Sequence, residues 1–185
     1  DDVEFVRQVV ARIEGERTLD ARRRYAAGMS NGGIFAYRLA CETDLFAAVG
    51  PVAATQLVPC RSPEPASVMA IHGLDDASVR FDGEPGSGIQ TIDGPAVPDV
   101  IAGWRAVDGC EAPAETVDGA VRRSSASCAD GRSVALTTVD GAGHQWPGSV
   151  PAPAAAMRLL GIDPPSEALD ATGELWAFFE AHPRP

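Results

Sequence analysis

RYAAGMSNGGIFAYRLAC, residues 24–41, is the stretch on which the fold turns. Arg24 to Ala27 reads as a short strand. Ile34 to Cys41 reads as a helix with Phe35, Ala36 and Leu39 on a common side. Between them, Gly28-Met29-Ser30-Asn31-Gly32 has the form G-x-S-x-G. A serine on a tight strand-to-helix turn sits in strained backbone, so its neighbours must be small. Gly28 and Gly32 supply that room and Gly33 leaves more. The turn lifts the Ser30 hydroxyl above the sheet edge and sets the Asn31 backbone N–H at a helix start, where it can hold a developing oxyanion. With 19 glycines in the chain the pattern alone can arise by chance. The strand before it and the helix after it are the context it needs.

Working outward, Val3, Phe5, Val6, Val9, Val10 and Ile13 recur at helical spacing, which predicts an amphipathic helix capped by Asp1 and Asp2, followed by a turn around Asp20. Phe46 to Val52 reads as a buried strand bounded by Gly50-Pro51, with a loop to Pro65. SVMAIH at 67–72 is a continuous apolar run of the kind found in parallel sheets covered on both faces. Residues 73–98 read as irregular loop and Val100 to Val107 as helix. Residues 110–132 are small and polar, with one short strand near Val121. SVALTTV at 133–139 is a strand and DGAGHQWPG at 140–148 a loop. The Pro- and Ala-rich 149–170 reads as loop. Ala171 to Ala181 is a last helix that turns Leu175, Trp176, Phe178 and Phe179 inward. Strands alternating with helices predict an α/β fold: one domain over 1–185, a mostly parallel sheet with helices on both faces.

Composition narrows the function. The 185 residues are 45% hydrophobic and 22% charged, an ordinary globular balance. No apolar run reaches the ~18 residues of a membrane span. The opening Asp1-Asp2-Val3-Glu4 is too acidic for a signal-peptide n-region, so a mature or trimmed chain is expected. The formal net charge of -11 repels phosphate backbones and anionic lipid, so neither nucleic acid nor membrane is an expected partner. All 15 basic residues are arginine, which leaves no lysine for Schiff-base or P-loop chemistry. The four cysteines form no C-x-x-C pair, and no metal or cofactor is expected. Their order suggests the bridges Cys41–Cys60 and Cys110–Cys128, each closing a loop of about twenty residues and contributing about 3 kcal/mol in the chain-entropy model. Four buried free thiols are the alternative. If bridged, the chain belongs in an oxidising compartment.

A serine nucleophile needs a base. His182 lies in a terminal tail expected to fray. His72 ends a buried strand and reads as a structural histidine with a satisfied ring. His144 follows a strand in a glycine-rich loop, where this kind of scaffold presents its base. The carboxylate that orients the base can come from Asp75, Asp76 or Asp82, each giving the chain order Ser, Asp, His.

GMSNGG at 28–33, HGLDD at 72–76 followed by VRFDG at 79–83, and GAGHQWPG at 141–148 resemble the secreted polyhydroxybutyrate depolymerases, a family that also includes feruloyl and acetylxylan esterases of the α/β-hydrolase superfamily. The family pattern reads H-G-T-x-D-x-x-V-P-Y in the acid loop and G-G-H-T-W-P-G around the base. The resemblance places the nucleophile on Ser30, the acid on Asp76 rather than Asp75, and the base on His144. It also sets the four cysteines where such enzymes often carry bridges. Leu74, Arg80 and Gln145 depart from the pattern; none belongs to the triad, and Arg80 and Gln145 are expected at the substrate rim. Trp146 either lines the acyl or sugar site or is a core or rim residue.

The resemblance implies a secreted serine esterase acting on a small-molecule or polymeric ester. It also implies strands ahead of the first helix, and a histidine- and glycine-rich turn supplying a second oxyanion donor. This chain begins after both, so it is expected to be a fragment lacking the first strands, with an open sheet edge that invites self-association. An intact mass equal to that of the 185 residues, together with full esterase turnover, would refute this. Losing one oxyanion donor costs about 10²–10³ in rate. Two other readings stay open: an inactive truncated module that only binds polymer, and an acyltransferase using the same triad.

Overall fold

The computed structural model describes residues 1–61, 63–87 and 91–185; residues 62 and 88–90, parts of two expected loops, lie outside the described set. Among the described residues six strands form one sheet: β1 (Tyr25–Met29), β2 (Ala48–Val52), β3 (Ser67–Gly73), β4 (Ala114–Asp118), β5 (Val121–Ser127) and β6 (Ser133–Val139), in the spatial order β1-β2-β3-β6-β5-β4. The first four neighbours are parallel, and β5 and β4 continue antiparallel. The fold is of the α/β-hydrolase type, as the motif's strand–turn–helix setting implies.

The sequence run SVMAIH earns its central place by alternation. Val68 and Ala70 of β3 point into one core cluster with Val49 and Val134, and Met69 and Ile71 into another with Ala48, Val52 and Ala135. Successive residues of a strand face opposite sides, so an unbroken apolar run requires cover on both. On one side α2 (Asn31–Glu42) and α3 (Val97–Val107) supply Ala36, Tyr37, Ala40, Val100, Ile101 and Trp104. On the other, α5 (Ala171–Ala181) supplies Leu175 and Phe179. Each fully buried aliphatic or aromatic side chain here contributes roughly 1.5–3 kcal/mol. Gly50 lets α5 approach: a Cβ there would lie 2.6 Å from Leu175 Cδ2. The strand runs through Gly50-Pro51 rather than stopping at it. Pro51 has no N–H to donate, and the pairing of β2 with β3 passes from Val49–Val68 to Val52–Ile71.

Several expectations are corrected. The 110–132 stretch holds a hairpin of two strands, β4 and β5, turning at Gly119, whose φ of +56° suits glycine. Exposed β4 has no apolar alternation to announce it. Residues 149–170 contain a helix, α4 (Ala154–Leu160), built on an alanine run and closed by Gly161 in the left-handed conformation. α1 (Asp2–Glu16) is capped by Asp1, but only Val3 is buried; Phe5 is 65%, Val9 38% and Ile13 43% exposed. Trp176 is 57% exposed rather than core, whereas Trp104 is buried. Val10, Ile13, Leu19, Tyr25 and Trp176 border a groove of about 540 Å³ beside β1, which among the described residues pairs on one side only. No helix among the described residues is long and apolar enough to cross a membrane.

Both disulfides, Cys41–Cys60 and Cys110–Cys128, are present, with sequence separations of 19 and 18. The C-terminal tail is pinned rather than frayed. Arg184 N–H donates to Arg22 O at 2.9 Å and its guanidinium to Phe46 O at 3.2 Å, both just ahead of the starts of β1 and β2.

Asp108, at the end of α3, is 1% exposed. One oxygen accepts from Arg132 Nε at 3.0 Å and the other has no partner among the described residues. Burial pushes its carboxyl up from 3.8 to about 6, against the pull of Arg132. Between those values the folded chain keeps a proton that the unfolded chain has lost. Stability from this group therefore falls as pH rises through the window. Asp108→Asn is expected to remove that component: in urea unfolding between about pH 4 and 7, the difference between variant and wild type changes across the window. A constant difference would overturn the assignment.

Candidate active site

Three parallel strands deliver their following loops to the same end of the sheet, the end at which open α/β sheets place ligands. Ser30 follows β1, Asp76 lies three residues beyond β3, and His144 lies five beyond β6.

Ser30 has φ 55° and ψ -122°, a region that non-glycine residues rarely occupy, and its N–H donates to Val52 O at 2.9 Å. The turn is tight because of Gly28 and Gly33, two of the three glycines expected to leave room. A Cβ on Gly28 would lie 2.4 Å from the Gly32 carbonyl carbon, and one on Gly33 2.6 Å from Ala54 Cβ. A Cβ on Gly32 meets nothing within 4 Å. Gly32 therefore matters through its backbone, which Gly28 approaches. Gly32→Ala is expected to fold and to gain up to about 1 kcal/mol of helix propensity. Gly28→Ala is expected to lose several kcal/mol or fail to fold. Thermal melts of the two variants check the contrast. Asn31 opens α2, so its N–H has no intrahelical acceptor and stands beside the serine.

Asp76 is the one of three candidate aspartates brought to His144. Its Oδ1 accepts from Ser78 N at 2.9 Å and Val79 N at 2.8 Å, closing a local turn, and its Oδ2 accepts from His144 Nδ1 at 2.8 Å. Asp75 is exposed, and Asp82 forms an exposed pair with Arg80. His72 secures the same turn, donating from Nε2 to Val79 O at 2.8 Å. A carbonyl can only accept, so the ring proton sits on Nε2. Burial holds this imidazole below its usual pKa, which favours the neutral ring.

His144 Nε2 lies 2.9 Å from Ser30 Oγ. A carboxylate on Nδ1 fixes the proton there and leaves the Nε2 lone pair to accept from the serine hydroxyl. A hydroxyl aimed at an imidazole that is itself aimed at a buried carboxylate is an arrangement in which the hydroxyl can act as a nucleophile, the imidazole as its base and the carboxylate as orienter. The third histidine, His182, turns away: its Nδ1 donates to Phe178 O at 2.7 Å and its ring lies against Phe178.

Trp146 packs against the core cluster that includes Val52 and Leu169, and its Nε1 donates to Thr172 Oγ1 at 3.0 Å. Sequence patterning does not point to Asp163, whose Oδ2 accepts from the His144 backbone N–H at 2.8 Å. It follows α4 in the stretch expected to be plain loop. A cavity of about 620 Å³ lies elsewhere, lined by Arg7, Glu42, Asp44, Arg132 and Arg184. Chemistry rather than concavity marks the Ser30 site. Among the described residues, no group of three or more His, Cys, Asp or Glu gathers as metal ligands would.

No family profile matches the chain. In sequence it is 29% identical over 154 residues to "Feruloyl esterase B" of Piromyces equi, covering 78% of this chain and 29% of that protein. It is 33% identical over 171 residues to "Putative esterase NocK" of Nocardia uniformis subsp. tsuyamanensis, covering 80% of this chain and 49% of that protein. The chain thus spans half or less of the length of these relatives. In structure it resembles an acetyl xylan esterase from Aspergillus awamori with a TM-score of 0.54 and 14% identity, over 86% of this chain and 67% of that one; that likeness concerns the fold.

Proposed function

We propose that this chain is the catalytic part of a secreted serine esterase that hydrolyses carboxylic esters through an acyl-enzyme on Ser30. The observation that carries the reading is the relay from Ser30 Oγ through His144, 2.9 Å on one side, to Asp76, 2.8 Å on the other. The similarity to proteins named esterases supports it.

In this reading Ser30 Oγ attacks the ester carbonyl carbon as its proton passes to His144 Nε2. Asp76 holds Nδ1–H and stabilises the imidazolium. The Asn31 N–H faces the carbonyl oxygen as it takes up negative charge. The tetrahedral adduct collapses, the C–O bond to the alcohol breaks, and His144 returns the proton to the leaving alkoxide. Water, deprotonated by His144, then attacks the acyl-serine; the C–Oγ bond breaks, His144 returns the proton to Ser30 Oγ, and the acid leaves. Trp146 contributes to the acyl or sugar subsite. The substrate is a small-molecule or polymeric ester, of the polyhydroxyalkanoate kind or acyl groups on polysaccharide. Two disulfides suit an oxidising compartment, in keeping with secretion. The one-sided pairing of β1 favours self-association through that edge.

A fluorophosphonate probe tests the central step: the folded protein is expected to gain one adduct, on Ser30, by peptide mass mapping. A folded protein that takes no adduct would sink the reading. A panel of p-nitrophenyl esters, methyl ferulate, acetylated xylan and polyhydroxybutyrate then assigns the substrate class.

A further inference from the structure

The geometry points to Asp163 as a positioning residue: its carboxylate grips the main chain of His144 and so sets the imidazole between Ser30 and Asp76. This rests on the roles just given to Ser30 and His144.

The loop bearing His144 has no regular structure to stiffen it. Its own backbone contributes little: Gln145 N–H to Gly143 O at 2.9 Å and Ser149 N–H to Trp146 O at 3.1 Å. The rest of its support comes from outside. Ala142 O accepts from Asp75 N at 2.9 Å, which ties the base loop to the acid loop. Three further bonds come from the segment after α4. Asp163 Oδ2 takes the His144 N–H at 2.8 Å, Ser166 O takes the Gly148 N–H at 2.8 Å, and Pro147 O accepts from Ala171 N at 3.2 Å. Of these three, only the first acts on the main chain of the histidine itself; Trp146 Nε1 donating to Thr172 Oγ1 at 3.0 Å is a further side-chain tie of the loop.

The surroundings are shaped for that contact. Gly161, with φ 62°, ends α4 and turns the chain back, with Ile162 N–H donating to Met157 O at 2.9 Å. Pro164 and Pro165 follow, restricting the backbone on the other side of Asp163. Gly143 leaves the space the carboxylate occupies. A Cβ there would lie 2.2 Å from Asp163 Oδ2, and the three atoms nearest to it all belong to Asp163. Gly143 is not at positive φ, so its lack of a side chain answers to this contact rather than to backbone conformation. A charged acceptor on a backbone N–H makes one of the stronger hydrogen bonds available to a loop. Reaction geometry is sensitive: a misplacement of about 1 Å can cost on the order of 100-fold.

The test compares wild type, Asp163→Ala, Asp163→Asn and Gly143→Ala. Asp163→Ala is expected to lower kcat on p-nitrophenyl acetate, and the rate of fluorophosphonate labelling, by about 10- to 100-fold, with KM within about twofold. Asp163→Asn, whose side-chain oxygen can still accept, is expected to recover most of the loss. Gly143→Ala evicts the carboxylate without removing it and is expected to match Asp163→Ala; the two together should add little. In amide NMR the His144 proton, deshielded by the carboxylate, is expected to move upfield in Asp163→Ala and Gly143→Ala and to stay in Asp163→Asn. An unmoved His144 amide, or unchanged kcat in Asp163→Ala, overturns the inference. If Asp163→Ala does not fold, Gly143→Ala and Asp163→Asn decide it by the same two readouts. A wild type that takes no adduct defeats the esterase reading instead, and the amide shift still decides whether Asp163 holds His144.

Discussion

Ser30→Ala is expected to reduce kcat for ester hydrolysis by about a millionfold, to the level left by binding and the oxyanion donor alone. The protein should remain folded. The Ser30 side chain makes no cap bond to α2, and its hydrogen bond to His144 is the one interaction the substitution deletes. The strained backbone at φ 55° is held by the Ser30 N–H on Val52 O and by the close approach of Gly28 to Gly32, none of which needs the hydroxyl. A melting temperature near that of wild type with no labelling and no burst of product is therefore the expected pair of results. A variant that keeps turnover within tenfold of wild type would remove Ser30 from the chemistry.

Asp76→Asn is expected to cost about 10⁴ in kcat while leaving the fold largely intact. Both halves follow from how the two oxygens are used. Oδ1 accepts from the Ser78 and Val79 amides, a duty that an asparagine oxygen can take over. That places the asparagine NH2 where Oδ2 meets His144 Nδ1. Two donors cannot face each other, so the imidazole proton moves to Nε2, and the ring then donates toward Ser30 instead of accepting from it. The base is present, correctly placed and in the wrong tautomer. Asp76→Ala loses the turn as well and is expected to be less stable than the asparagine variant; unfolding curves for both separate the two duties. An Asp76→Asn enzyme with near wild-type kcat would show that Asp76 does not set the tautomer.

What the sequence disclosed follows the strength of its periodic signals. SVMAIH and SVALTTV are continuous apolar or β-branched runs, and both are interior strands. The turn around Ser30 was readable because its steric demand writes glycine into the sequence, although only the structure shows that Gly28 needs its missing side chain and Gly32 does not. β4 was invisible because an exposed edge strand such as AETVD has no apolar face to display. α4 was missed because prolines flank its alanines. Trp176 was placed inside by its helical neighbours, yet the side of α5 that meets the sheet is set by Leu175 and Phe179. The relay partners could be named from loop position, but the choice among Asp75, Asp76 and Asp82 rested on the resemblance. Nothing in the residue order signalled Asp163, because a side chain that reaches a backbone amide 19 positions away leaves no periodic trace.

The anchoring of Arg184 on Arg22 and Phe46 has a practical side. The strands start there and run toward Ser30, so a polypeptide appended after Pro185 departs from the opposite end of the sheet. A tether, a display scaffold or a solid support joined at that point would leave the serine facing outward, away from the attachment.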